Sequence, residues 1–147
     1  MPLPTRQEIS PYDDLDGRVA CEHFLGKTLE EAEALLRENS LYYQENLMWM
    51  GPVAFRYYLP AVVEFIRSEA ATDDSDFVAF FASTLEFRFK YEPGEMRPVA
   101  QQLAVLCGYV VEYWSRFESG SEAYGDVRTR YQLLQQIFSR MAMDGSA

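Results

Sequence analysis

The 147-residue sequence predicts an all-α fold, a single compact domain of about five to seven helices around a long central helix with an aromatic-rich core. Three observations predict it. Apolar residues recur at spacings of three and four over most of the chain, which is the period of a helix with one buried face. Helix-start patterns stand ahead of several of these stripes. Aromatic residues make up 15% of the chain, a high share that enlarges the area each core position can bury.

Residues 1–17, with Pro2, Pro4, Pro11 and the acidic "YDDLDG", show little periodicity and read as an extended N-terminal arm. One helical domain is expected over 18–143, and 144–147 reads as a disordered tail. "RVACEHFLG" allows one or two helical turns closed by Gly26. In "GKTLEEAEALLREN", Thr28 followed by Glu31 is a capping-box pattern, and Leu29, Ala32, Leu35 and Leu36 form an apolar stripe. "SLYYQENLMWMG" has helical content with ambiguous ends. Gly51-Pro52 interrupts it, and Pro52 suits the first turn of the next helix, where its missing N–H costs nothing. Pro60 predicts a break or kink near Tyr58 and Leu59, because a proline inside a helix removes a hydrogen bond and crowds the preceding turn.

After the acidic "TDDSD", Ser75 or Asp76 is placed to cap a helix carrying Phe77, Phe80, Phe81 and Leu85. "KYEPGE" ends it, and "LEFRFKYE" alternates enough to admit a short strand instead. The longest helix is expected from about Met96 to Phe117, with Pro98 in its first turn and a broad stripe through Val99, Leu103, Leu106, Val110 and Trp114. "ESGSEAYGD" reads as a loop. Val127, Tyr131, Leu134, Ile137, Phe138 and Met141 mark a final amphipathic helix.

A formal charge of −10 argues against a nucleic-acid binder, since phosphate contacts need clustered Lys and Arg, and it suits a basic partner. The excess is uneven: residues 1–76 hold 15 acids against 6 bases, residues 77–147 hold 8 against 7. Cys21 and Cys107 stand alone in apolar stretches, so reduced, buried thiols are expected. "MPLPTRQEIS" lacks a basic region followed by an apolar run, and no stretch is apolar enough to span a membrane, so a cytoplasmic protein is expected.

The chain has one histidine, His23. Zinc sites of several His or Cys ligands and paired Glu-x-x-His di-iron sites therefore lack their raw material. A triad using His23 has no accompanying GxSxG, and a surface or capping histidine is the plainer reading. The clusters Asp13, Asp14, Asp16 and Asp73, Asp74, Asp76 lack the spacing of a calcium loop; the second reads as helix-start charge. No glycine-rich phosphate loop occurs. The expectation is no catalytic set, no metal and no cofactor.

The run "MGPVAFRYYLPA" places Arg56 among aromatic residues. Structurally, its guanidinium would stack on a ring or reach a carboxylate or carbonyl. Functionally, Arg56 and Tyr57 would join Tyr42, Tyr43 and Trp49 around an anion or peptide pocket. The block "PVAFRYYLPAVV", preceded by "LMWM" and followed by "PGEMRPVAQQLAVL", resembles an uncharacterised family of small bacterial proteins over about residues 28–118. That resemblance implies a bacterial or phage origin and a helical fold, and no substrate.

Two functions are compatible with these residues. One is a non-enzymatic acidic interaction module, like immunity or antitoxin partners that cover a basic site on another protein. The other is a small-molecule-binding or enzymatic module with an aromatic pocket around Arg56. A homo-oligomer built on spare aromatic surface is a further option.

Overall fold

Side chains that close the first turn begin four of the helices in the described residues, at Thr5, Asp14, Thr28 and Asp74. The structure, a computed structural model, describes residues 2–118 and 126–145, and among these it is all-α with no strand. The helices are α1 (Arg6–Ile9), α2 (Leu15–Phe24), α3 (Leu29–Trp49), α4 (Pro52–Arg67), α5 (Ser75–Tyr91), α6 (Pro93–Met96), α7 (Ala100–Glu112) and α8 (Val127–Gly145). The expected loop at 118–126 falls almost wholly outside the described residues, as do 146 and 147 of the expected tail; Asp144 and Gly145 belong to α8. Contacts group the chain into two units, Met1–Ala71 and Thr72–Ala147, each with its own core.

In the first unit the expected extended arm is partly helical. Thr5 and Glu8 form a capping box, Thr5 Oγ1 accepting from Glu8 N–H at 3.2 Å and Glu8 Oε1 from Thr5 N–H at 2.8 Å, and Ile9 is fully buried. Asp14 then caps α2, its Oδ1 accepting from Gly17 N–H at 2.8 Å. Burying Ile9 is what holds this stretch down; an arm with no buried residue would have nothing to offset its ordering. Gly26 sits at φ 79°, a left-handed position after α2 that favours glycine.

The capping box expected at Thr28 and Glu31 is present, with bonds of 3.2 and 3.0 Å, and the bond from the Thr28 N–H holds the Glu31 carboxyl below its ordinary range. α3 is two helical segments joined at Asn39, whose φ of −159° and ψ of 84° are not helical. Asn39 Oδ1 accepts from Tyr42 N–H at 3.1 Å, so this residue restarts the helix as an N-cap would.

α4 corrects the expectation of a break at Pro60: one helix runs from Pro52 to Arg67 with Pro60 inside it. An interior proline costs about 3 kcal/mol. Against that stand Phe55, Tyr58, Leu59, Val62, Phe65 and Ile66, all buried along one stripe, and fully burying each such side chain is worth roughly 1.5–3 kcal/mol. Burial wins. At the start of α4, Gly51 N–H donates to the Ile9 carbonyl at 2.9 Å, and a Cβ at Gly51 would lie 2.3 Å from the Glu8 carbonyl oxygen. Glycine is needed there for space, since its φ of −62° is ordinary.

In the second unit α5 is capped by Asp74, one residue earlier than expected, whose Oδ1 accepts from Phe77 N–H at 3.1 Å. Both aspartate clusters thus contain a helix cap. "LEFRFKYE" is helical to Tyr91, not a strand, and Arg88 within it is buried and paired with Glu92. The long helix expected over 96–117 is shorter: α7 covers Ala100–Glu112, between single 3-10 turns at Arg97–Val99 and Trp114–Arg116. Pro98 accounts for the first interruption, because it offers no N–H to the turn before it. α7 packs on α8, where Val127, Tyr131, Leu134, Phe138 and Met141 are buried at alternating steps of four and three. Tyr131 donates to the Val78 carbonyl at 2.6 Å, and Arg130 reaches Glu86 and Ser83 on α5. Both cysteines are free and buried, and burial pushes the Cys107 thiol up to about 12.

Candidate functional site

Spacing on two helices of the first unit sets the site. Residues 15, 16, 19 and 23 follow one face of α2, and residues 42, 45, 46 and 49 follow one face of the second segment of α3. Together Leu15, Asp16, Val19, His23, Tyr42, Glu45, Asn46 and Trp49 line a half-open cleft of about 240 Å³.

His23 lies half-buried on this cleft, held at both ring nitrogens. Asn46 Nδ2 is 3.0 Å from Nδ1, and Tyr42 Oη is 3.3 Å from Nε2. The Asn46 amide is oriented by a second bond, from Nδ2 to the Tyr43 carbonyl at 3.3 Å, where an amide oxygen would face another oxygen. Because the group facing Nδ1 is a donor, Nδ1 accepts, and the ring proton sits on Nε2 and is donated to the Tyr42 oxygen. The ring is also enclosed by aromatics: the centroids of Tyr42 and Tyr43 are 5.2 and 5.1 Å away, the latter edge-on. Asn46 is buried, so breaking this network would leave a polar amide with one partner fewer.

The rim has a different character. Leu15 is 76% exposed, Tyr42 55% and Trp49 40%, and Asp16 and Glu45 are exposed beside them. No lysine or arginine lines the cleft. The arginine of α2, Arg18, is paired with Asp13 at 3.1 Å, and that pair holds the Asp13 carboxyl below its ordinary range. The arrangement has an imidazole and a phenol but no serine, cysteine or threonine in its lining to act as a nucleophile.

Of the residues singled out from sequence, Tyr42 and Trp49 line the cleft, and Tyr43 stands behind it against His23. Arg56 and Tyr57 are half-buried on α4 and do not line it. Tyr57 instead packs edge-on against Tyr58, with centroids 5.0 Å apart. Tyr58 is fully buried, and its hydroxyl donates toward the carbonyls of Phe24 and Lys27 at 2.8 and 2.9 Å. His23, Asp16, Glu45 and Asn46 were missed as a group. Their helical spacing was visible, but which face of α2 meets which face of α3 depends on the break at Asn39.

Among the described residues no three His, Cys, Asp or Glu side chains gather as a metal site, and no helix is long and apolar enough to cross a membrane. Comparison with protein-family models, with curated proteins and with solved structures finds no match to this chain.

Proposed function

We propose that the chain is a non-enzymatic interaction module that binds a basic protein through its first unit, in the manner of an immunity or antitoxin partner. The observation that carries this reading is the α2–α3 cleft, where exposed aromatic and apolar surface is flanked by carboxylates and by no cation. Around it, residues 1–71 hold 12 acids and 6 bases. Such a surface steers a basic partner and suppresses acidic ones, and large exposed aromatics are the side chains that most often anchor interfaces. A cytoplasmic location and the bacterial or phage origin implied by the family resemblance belong to the same proposal.

The test is affinity capture with the full chain, followed by kinetics against the basic protein recovered, first among those encoded beside it. Raising salt from about 0.1 M to about 1 M shortens the screening length from roughly 10 Å to 3 Å. Association should slow steeply over that range. Absence of a basic partner at low salt, or rates indifferent to salt, would sink the reading.

A small-molecule-binding module is the second reading, and the His23–Tyr42 pair on the cleft favours it. Its pocket would be centred on His23 instead of Arg56. A cleft of about 240 Å³ is smaller than the roughly 300–1,000 Å³ usual for such ligands, which ranks this reading second.

A further inference from the structure

We propose that the α2–α3 cleft is an arginine-binding site, the anchor for one guanidinium side chain of the basic partner; this deepens the interaction-module reading and rests on it. Four features of the cleft select that occupant. First, its volume of about 240 Å³ suits a single side chain. Second, its charged lining is Asp16 and Glu45, both exposed, and among the described residues neither is in an ion pair. A guanidinium presents five donors in one plane and can serve two carboxylates at once, whereas an ammonium is a compact point charge. Third, Trp49 and Tyr42 offer exposed ring surface, on which a planar cation stacks. Fourth, Leu15 and Val19 supply an apolar wall for the methylene stem, which an arginine buries while keeping its head polar.

The floor is built to stay fixed while this happens. Asn46 holds His23 by Nδ1, and the Nε2 proton is used on the Tyr42 oxygen, so the phenol keeps its own proton to donate. Tyr42 is thereby held at the rim from below instead of swinging freely. Fixing an aromatic rim in its binding geometry lowers the ordering cost of association.

The experiment is a titration of the isotope-labelled full chain with three peptides, acetyl-Gly-Arg-Gly-amide and its lysine and citrulline counterparts, read on the side-chain resonances of His23, Tyr42 and Trp49. Saturable shifts are expected with the arginine peptide, weaker ones with lysine, and none with citrulline, which keeps the shape without the charge. The double variant Asp16→Asn, Glu45→Gln alters only exposed groups; it should cost no more than the small first-turn contribution of the Asp16 charge to α2, so the chain stays folded while arginine affinity falls about fivefold, the size expected of two exposed charge contacts.

Equal binding of the citrulline peptide, or undiminished binding by the double variant, would overturn the proposal. So would the same shifts produced by an acidic peptide, or by concentrating the chain alone, which would assign the cleft to an anion or to a second copy of the protein. The two proposals fail separately. A basic partner captured equally well by the parent and the double variant would keep the interaction module and overturn the cleft as its anchor. Failure to capture any partner overturns the module, and the peptide titration is read without one.

Discussion

The dipeptide Tyr-Tyr occurs at 42–43 and again at 57–58, on consecutive helices of one unit and with nearly the same internal geometry. The rings are 4.9 Å apart at 77° in the first pair and 5.0 Å apart at 85° in the second. Their surroundings are opposite. Tyr58 has no exposed surface and donates toward two backbone carbonyls, while Tyr42 is 55% exposed and meets an imidazole at the edge of a cleft. Equal local chemistry therefore serves two ends. Where the hydroxyl meets buried backbone it fixes the fold, and where it meets another side chain at the surface it leaves ring area for a partner.

Substitutions around the two pairs should separate these roles. The largest effect is expected from Phe24→Ala, whose ring lies 5.2 Å from Tyr58 and is almost fully buried. It should destabilise the first unit by about 3–5 kcal/mol, read from denaturant unfolding, through lost burial and the cavity left behind. A loss below about 1 kcal/mol would mean that the Tyr58 neighbourhood is not a packed core.

Tyr58→Phe keeps the ring and deletes the hydroxyl, so about 1–2 kcal/mol is expected, because the two carbonyls lose a buried donor. The same residue gives a pH signature. Burial, with smaller contributions from Tyr57 and Glu31, pushes the Tyr58 phenol up to about 12 from an ordinary 10. The folded form therefore holds the proton more tightly than the unfolded one, and this contribution to stability is complete below pH 10 and is lost as pH rises toward 12. Unfolding midpoints of the parent should fall over that window, and those of Tyr58→Phe should fall less. Tyr131, Cys107 and Cys21, also raised by burial, remain in both proteins and supply the residual slope.

Thr28→Ala removes the cap that follows the Lys27 carbonyl, one of the two acceptors of Tyr58. About 1 kcal/mol should be lost, and combining it with Tyr58→Phe should give less than the sum, since the two act on one short connection. At the other pair, Tyr42→Phe should change stability by no more than about 0.5 kcal/mol while moving the His23 ring resonances, because it removes the Nε2 acceptor at an exposed position. A stability loss as large as that of Tyr58→Phe would erase the distinction between the pairs.

The helical class and the starts of α3 and α4 were legible because they are written in short patterns. Thr28 with Glu31, Pro52 at a first turn and Gly26 after a helix each state a backbone requirement within a few residues. The same box at Thr5 and Glu8 does not mark a helix by itself, since four residues carry too little periodicity and it is the burial of Ile9 that holds them. Pro60 misled in the other direction: its local cost was read correctly, and the burial of its neighbours outweighed it. Asn39 shows the reverse balance, a residue of ordinary appearance that interrupts a helix because its amide offers the following turn a partner. The cleft inherits that difficulty. Arg56 drew attention by its aromatic company, while His23, Asp16 and Glu45 acquire theirs only when α2 and α3 are set side by side.

Gly51 carries a practical lesson for anyone re-engineering this chain. Beside a proline it looks like a spacer, the sort of position at which a linker, a tag or a bulkier residue is routinely inserted. Yet the ground a methyl group would occupy is already taken by the Glu8 carbonyl, and the adjoining amide is tied to Ile9. Building there would prise the opening residues off the rest of their unit, so grafts belong at sites such as Gly94, whose missing side chain faces open space.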